Sequence, residues 1–173
     1  EVSVLKAIGI ALGHIDSQRA IVPLCLIRNH VDPKVRYGVV HGLMGQTQAQ
    51  AVQAMIELSN DRDMDVRNWA TFALGTQIDL DNPEIRAALW KRIPDADHEI
   101  RGEALVGLAR RHDKDVFGPL LRELESEEVG CLAVEAAGEL EDPRLYDSLA
   151  TLMNLNPSDK QIKAAMEKCQ RKQ

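Results

Sequence analysis

Residues 61–75 read DRDMDVRNWATFALG, and this stretch decides the fold. Asp63 stands three residues before Val66, and Ala70, Ala73 and Leu74 follow Val66 at offsets +4, +7 and +8. These offsets form one apolar stripe on a helix of 3.6 residues per turn. Aspartate is a preferred residue for capping the free backbone N–H groups at a helix start. The stretch therefore predicts an amphipathic helix that begins next to Asp63.

The same pattern recurs along almost the whole chain at intervals of 29 to 34 residues. Its β-branched anchors are Val4, Val35, Val66, Ile100, Val129 and Ile162. The residues that precede these anchors by three positions, and that we expect to cap the helices, are Asp32, Asp63, Asp97, Ser126 and Asp159. A period in this range is typical of helical solenoids, in which each repeat buries its apolar face against its neighbours.

A second set of amphipathic segments lies between the anchored helices. These segments span about residues 17–28, 47–59, 83–93, 114–125 and 143–153. Together the two sets predict about eleven helices in antiparallel hairpins, and no segment predicts a strand. Turns between them are expected at several Asp and Asn-Pro positions, Asp16 among them.

The predicted fold class is therefore all-α: an α-α superhelix, a right-handed solenoid of about five and a half helical hairpins. We expect residues 1–173 to form a single solenoid. Its first repeat would be incomplete, because Val4, Ile8, Ile10 and Leu12 would lie uncovered without a preceding repeat. Its last repeat would be a degenerate polar cap that ends in Lys168, Cys169, Gln170, Arg171 and Lys172.

Two further positions of the repeat predict packing. Offset +7 carries small residues that favour close approach of helices, namely Ala11, Gly42, Ala73, Gly107 and Ala136. Arg36, Arg67 and Arg101 each follow a capping aspartate by four residues. An arginine at this position either pairs with that aspartate on its own helix or reaches the neighbouring repeat.

Composition limits the classes of partner. The chain has a net charge of −6 and a pI of about 5.4, which disfavours nucleic acid as the main ligand because phosphate backbones require a dense cationic face. No apolar run approaches the ~20 residues that cross a bilayer, so no membrane contact is expected. Three cysteines without a short pairing motif favour a reducing compartment, and we expect a cytoplasmic protein.

Offsets that point away from the apolar stripe place several polar and aromatic side chains on one predicted groove. At 100° per residue, offsets +2, +6 and +9 point away from the core and +3 lies on its flank. On two successive helices these offsets hold Tyr37, His41, Asn68, Trp69 and Phe72. Aromatic side chains with polar groups beside them are typical of binding hot spots, so we predict a partner-binding site here. The alternative is that Trp69 and Phe72 wedge between repeats.

Acidic residues continue the predicted groove. Glu103 and Glu135 fall at outward or flanking offsets, as does Glu139, and Val106 is also expected to point outward. A strip of carboxylates could attract a basic segment of a protein partner. The alternative is a solvated polar face.

The motif V-R-x-x-A-x-x-A-L-G with a preceding Asp resembles HEAT repeats, and most closely the short bacterial HEAT-like type also found in phycobilin lyases. The resemblance covers essentially the whole chain, is sharpest over residues 61–75, and weakens after Ser126. Residues 61–152 also resemble enterobacterial HEAT-like proteins encoded beside large Rhs-type toxins. These resemblances imply a non-catalytic scaffold that binds a protein on a concave face, with inhibition of a toxin as one form of that role. The alternative that they imply is a lyase-like enzyme that binds a tetrapyrrole in the same groove.

Enzymatic chemistry finds little support in the residues. Deoxyhypusine hydroxylase resembles this chain in fold and holds iron with His-Glu pairs at offsets +2 and +3, where this chain has pairs such as Tyr37-Gly38 and Asn68-Trp69. The histidines of the chain lack the spacing of a zinc site. No phosphate-binding glycine loop is present. We therefore predict no catalytic residue, no metal and no cofactor.

Overall fold

A computed structural model describes residues 1–15 and 18–170 of the chain. Within these ranges it contains eleven α-helices and no β-strand. The helices are α1 (Val2–Ile15), α2 (Ile21–Leu26), α3 (Pro33–Leu43), α4 (Ala49–Leu58), α5 (Met64–Thr76), α6 (Pro83–Trp90), α7 (His98–Arg110), α8 (Phe117–Leu124), α9 (Cys131–Leu140), α10 (Tyr146–Leu155) and α11 (Lys160–Cys169). Short 3-10 turns over Gln18–Ala20, Lys114–Val116 and Pro143–Leu145 lead into α2, α8 and α10.

The helices follow each other as the repeat predicts. The odd-numbered helices other than α9 contain the predicted anchors, and each of α2, α4, α6, α8 and α10 is the second helix of a hairpin. The predicted number of helices and the all-α fold class of helical hairpins are confirmed. The turn predicted at Asp16 and the cap residues Arg171 and Lys172 lie outside the described residues.

The chain forms two compact units, Glu1–Arg92 and Ile93–Gln173. In the first unit α1 packs on α3, α3 on α5, and α4 on α5. In the second unit α7 packs on α9 and α9 on α11. No helix within the described ranges combines the length and apolar character that a membrane span requires.

Four aspartates cap the helices that the repeat assigns to them. The carboxylate of Asp32 accepts from the Lys34 backbone N–H at 2.8 Å. Asp63 accepts in the same way from Val66 at 3.1 Å. Asp97 caps α7 and Asp159 caps α11 in the second unit. All four residues have extended backbone angles, as a capping residue must.

The prediction that Ser126 caps the next helix is wrong. Helix α9 begins at Cys131, with Gly130 before it and no side-chain cap. The Ser126 hydroxyl instead lies 2.8 Å from the backbone carbonyl oxygen of Glu123 and 3.0 Å from that of Glu128, and it can donate its single proton to either. Ser126 therefore closes the turn after α8, and the anchor Val129 lies before α9 rather than inside it.

The repeated arginine reaches the loop of the next repeat. The guanidinium of Arg36 donates to both carboxylate oxygens of Asp61, from Nε at 2.6 Å and from Nη2 at 2.7 Å. Its Nη1 also donates to the carbonyl oxygens of His30 and Val31. The side chains of Arg36 and Asp61 are only 7% and 9% exposed. A buried, bidentate ion pair thus joins α3 to the segment that precedes α5.

Arg101 occupies the same position in the second unit but has a different partner. Its Nε donates to Glu123 at 2.7 Å, and Nη1 donates to the carbonyl oxygens of Asp95 and Ala96. Arg36 therefore reaches the neighbouring repeat, which is one of the two predicted uses of this arginine, whereas Arg101 pairs with Glu123 on α8, the second helix of its own hairpin.

Glycines bring the backbones of α1 and α3 together. A Cβ atom added at Gly9 would lie 2.5 Å from the carbonyl carbon of Gly38, and one added at Gly38 would lie 2.9 Å from Cα of Lys6. A Cβ at Gly13 would overlap the carbonyl oxygen of His41. The two helices therefore touch backbone to backbone.

The close contact predicted for the small residues at offset +7 is confirmed at Gly42. A Cβ added at Gly42 would lie 2.6 Å from Cδ1 of Leu24 on α2 and 2.8 Å from the carbonyl oxygen of Gly9 on α1, so both helices approach Gly42 closely. Ala73 and Ala136 are buried, but Ala11 is exposed.

The apolar face of α1 is partly uncovered, as predicted. Val4 is 57% exposed and Ile8 is 48% exposed, whereas Ile10 and Leu12 are half-buried. These last two side chains are better covered than the sequence predicts.

Candidate functional site

The structure brings four predicted site residues into one group of rings in the first unit. Tyr37 and His41 lie one turn apart on α3, and Trp69 and Phe72 lie on the adjacent helix α5. The ring centroid of Trp69 is 4.8 Å from His41, 5.6 Å from Phe72 and 6.5 Å from Tyr37. We call these four residues the aromatic cluster. Trp69 is its centre, because it contacts all three other rings.

The geometry of the cluster is that of favourable aromatic pairs. Trp69 meets Phe72 at an interplanar angle of 89° and Tyr37 at 78°, so both contacts are edge-to-face. Tyr37 and His41 lie closer, with centroids 4.4 Å apart. The four rings thus hold one another in place.

The cluster is open to solvent without being fully exposed. Trp69 is 36% exposed, and Tyr37, His41 and Phe72 are half-buried. Asn68, the fifth predicted residue of this site, is also half-buried on α5. Trp69 and Phe72 therefore keep solvent-accessible surface and are not buried between repeats. Partner binding by the cluster remains a prediction.

His41 is held in its neutral form. Burial is the largest cause that lowers its pKa below the usual histidine value, and the positive charges of Lys6 and His14 lower it further. Its buried Nε2 atom has no hydrogen-bond partner among the described residues. His41 therefore contributes a polar but uncharged ring to the cluster at neutral pH.

A lysine of α1 completes the surroundings of the cluster. The Nζ atom of Lys6 lies 4.6 Å from the centroid of the Tyr37 ring, which is cation–π geometry. The repeat pattern does not predict this contact. Lys6 stands at offset +2 of the first repeat, the position that Tyr37 holds in the second, and the pattern assigns no partner to it. Contact between α1 and α3 at their glycines is what brings Lys6 within reach.

The two predicted acidic site residues lie in the second unit, Glu103 on α7 and Glu135 on α9. Both are half-buried. Glu135 lines a cavity of about 140 Å³ between α9 and α11, together with Glu139 and Lys168. The Lys168 ammonium donates to the Glu139 carboxylate at 3.3 Å, so part of the predicted negative strip is already neutralised within the unit.

The prediction that Val106 points outward is wrong, because its side chain is 0% exposed. Helix α7 is buried on most of its circumference, with Ile100, Gly102 and all residues from Ala104 to Ala109 buried. A helical wheel with one buried stripe therefore fails for this helix.

A groove between α2 and α4 is not among the sites that the sequence predicts. It has a volume of about 430 Å³ and is lined by Val22, Cys25, Leu26, Arg28, Ala49, Gln50, Gln53 and Ala54. The side chain of Leu26 in this lining is 78% exposed. None of the predicted site residues lines this groove. The signal that could have revealed it is the pair Val22 and Leu26, spaced by one helical turn on a short helix.

Two of the three cysteines, Cys25 and Cys169, are poorly suited to nucleophilic chemistry. Burial raises the pKa of Cys169 to about 11, and burial likewise raises the pKa of Cys25. Both thiols are therefore protonated and weakly nucleophilic at neutral pH. Among the described residues there is also no group of three His, Cys, Asp or Glu side chains that could hold a metal ion.

Comparison with known proteins gives a relative in bacteria. No protein-family model matches the chain. Over 120 residues it is 37% identical to Protein YibA of Escherichia coli K12, an alignment that covers 69% of this chain and 42% of YibA. The chain thus spans less than half of the length of this curated relative.

Solved structures resemble the whole described fold. The crystal structure of Escherichia coli YibA superposes with a TM-score of 0.82 at 29% identity, covering 98% of this chain and 62% of YibA. A designed armadillo repeat protein in complex with the peptide (KR)4 superposes with a TM-score of 0.63 at 17% identity, covering 98% of this chain and 91% of the designed protein. The architecture is therefore that of HEAT- and armadillo-like helical repeats.

Proposed function

We propose that this chain is a non-catalytic scaffold that binds a protein partner through the aromatic cluster. The observation that carries the proposal is the preorganised group of four rings around a Trp69 that is still 36% exposed. Trp and Tyr are enriched at the energetic centres of protein interfaces. Rings that are already fixed by one another lose little freedom on binding, so more of the contact energy remains as affinity.

The chemistry of the partner is inferred from the charge of the chain and of its proposed acidic site residues. The chain carries a net charge of −6, and the proposed partner-binding residues Glu103 and Glu135 are both acidic. The structure of the designed armadillo protein that this chain resembles in fold is a complex with (KR)4, a wholly basic peptide. We infer that the partner presents a basic segment. Association should then slow as ionic strength rises, because complementary charges act mainly on the association rate.

Two finer statements belong to the same proposal. Inhibition of a toxin is one form that such binding would take, and it rests on the resemblance of residues 61–152 to proteins encoded beside toxins. A cytoplasmic location is supported by the three cysteines, which are all free.

The alternative function, a phycobilin-lyase-like enzyme, rests on the repeat resemblance alone. A titration of the purified protein with biliverdin, followed by visible absorbance, tests it. A saturable spectral change that is lost in Trp69→Ala would favour the lyase-like hypothesis over the scaffold.

The scaffold is tested by affinity capture from a bacterial lysate with Phe72→Glu beside wild type. We expect wild type to retain a specific protein and Phe72→Glu to retain at least tenfold less. The reason is that the substitution places a charge among the rings, where a packed hot spot contributes on the order of 2 kcal/mol or more. Quantitative mass spectrometry of the eluates measures the difference.

Met64→Glu is the matched control for this experiment. Met64 opens the same helix α5, is 52% exposed, and lies outside the aromatic cluster, so its replacement adds the same charge to an exposed position. Circular dichroism checks that both variants fold. Equal capture by wild type, Phe72→Glu and Met64→Glu would place the binding surface elsewhere and contradict the proposal.

A further inference from the structure

Lys6 is the one positive charge that the structure shows stacked on the aromatic cluster among the described residues. Its ammonium lies over the face of Tyr37 at 4.6 Å from the ring centroid. The backbone of Lys6 is fixed close to α3, since a Cβ at Gly38 would lie 2.9 Å from Cα of Lys6. The side chain of Lys6 is half-buried, and a lysine side chain is a flexible four-carbon stem. Because the backbone of Lys6 is held and its side chain can rotate, the ammonium can leave the Tyr37 ring without any change in the helices.

The surroundings of the Tyr37 face suit a cation. The Tyr37 and Trp69 rings meet at 78° with His41 between them, 4.4 Å from one centroid and 4.8 Å from the other. Aromatic faces attract cations through their quadrupole. His41 adds no opposing charge, because burial first, and then the charges of Lys6 and His14, keep its pKa below the usual value.

We propose that Lys6 is an internal occupant of a cation site on Tyr37, and that a basic side chain of the protein partner displaces it. This inference rests on the proposed function, to which it adds the chemistry of one contact. Arginine is the expected competitor, because its planar guanidinium stacks on aromatic rings more readily than a strongly hydrated ammonium. Lys6 would then weaken the binding of basic segments, and its removal would strengthen it.

The experiment uses the peptide (KR)4 as the probe. Affinity is measured by isothermal titration calorimetry for wild type, Lys6→Met and Lys91→Met. Methionine keeps a long unbranched side chain and removes the charge. Lys91 is exposed in the same unit, at the end of α6, so Lys91→Met controls for the change in net charge. We expect Lys6→Met to bind the peptide about two- to fivefold more tightly than Lys91→Met does, which is the factor of one cation–π contact at a partly exposed site.

The site of displacement is read directly by NMR of protein with ¹³C-labelled lysine. The ε-methylene protons of Lys6 should resonate upfield in the free protein, because they lie over the Tyr37 ring. They should move to ordinary lysine positions as (KR)4 saturates the protein. In a Tyr37→Leu background, the further substitution Lys6→Met should no longer tighten binding of the peptide relative to Lys91→Met.

Each other outcome overturns the inference. If the peptide binds while the Lys6 protons stay upfield, the peptide does not use the Tyr37 face. The same conclusion follows if Lys6→Met raises the affinity for the peptide no more than Lys91→Met does. If neither wild type nor Lys6→Met binds the peptide, Tyr37 is not a site for a partner's cation. The scaffold proposal would survive all of these results provided that Phe72→Glu still reduces capture at least tenfold, so the two proposals fail separately.

Discussion

Replacing Asp61 by Ala is expected to lower the free energy of unfolding of the first unit by about 3 to 5 kcal/mol. The substitution leaves the guanidinium of Arg36 buried at 7% exposure without the two carboxylate oxygens of Asp61, although the carbonyl oxygens of His30 and Val31 remain. A buried charge that loses its partner keeps its desolvation cost, which is why the effect exceeds the strength of an ordinary hydrogen bond. Urea unfolding followed by tryptophan fluorescence measures it, since Trp69 and Trp90 both lie in this unit.

Glu57→Ala is the matched control in the same unit. Glu57 also pairs with an arginine, Arg28, but the two side chains are 36% and 32% exposed. An exposed pair contributes about 0.2 to 1 kcal/mol. If Asp61→Ala destabilises the unit no more than Glu57→Ala does, the Arg36–Asp61 contact is not the buried connection between repeats described above.

The same contact predicts a dependence of stability on pH. Burial of Asp61 alone would raise its pKa, but hydrogen bonds from Arg36 and from the Asp63 backbone N–H outweigh it, and the pKa falls below the ordinary value of 3.8. The contribution of Asp61 to stability is therefore fully present above about pH 3.8 and is lost as the pH falls through the lower pKa of the folded state. The stability difference between wild type and Asp61→Ala should be constant at neutral pH and should shrink in this acidic range.

The repeat predicted most of the fold because its signals are local. Asp32, Asp63, Asp97 and Asp159 each cap a helix through a backbone N–H two or three residues away, so the sequence neighbourhood contains the whole interaction. Ser126 failed because a serine hydroxyl can also close a turn onto carbonyl groups, and a short motif does not distinguish these two uses. The partner of Arg36 lies 25 residues away, so the sequence left two alternatives for this arginine that only the three-dimensional structure separates.

The candidate site was less predictable because it depends on what covers each helix. Tyr37, His41, Trp69 and Phe72 were grouped correctly by their offsets on two neighbouring helices, and their contacts confirm the grouping. The offsets could not show that Lys6 would lie over Tyr37. That contact requires the close approach of α1 and α3. Gly9 and Gly38, at offsets +5 and +3 of successive repeats, provide it together with Gly42 at the predicted offset +7.

Gly9→Leu is expected to detach α1 from α3 and so to produce the second large effect. Even a Cβ atom at Gly9 would lie 2.5 Å from the carbonyl carbon of Gly38, and both contacting groups are backbone. The overlap can be relieved only if one of the two helices moves as a whole. The effect should therefore exceed that of ordinary overpacking, which side chains absorb at a cost of about 1 to 3 kcal/mol. Hydrogen exchange with mass spectrometry should show that amides of Val2–Ile15 lose their protection, while those of α4 and α6 keep it.

Gly118→Ala is the control for this prediction, because a Cβ at Gly118 would have as its nearest neighbour only the Nη1 atom of Arg122, 3.9 Å away. It should leave exchange unchanged and gain up to about 1 kcal/mol from the higher helix propensity of alanine. Continued protection of α1 in Gly9→Leu would mean that α1 and α3 tolerate a side chain at their contact. Detachment would also carry Lys6 away from Tyr37. Because the glycines hold the lysine over the ring, Gly9→Leu should then abolish the upfield shift of the Lys6 ε-protons before any peptide is added.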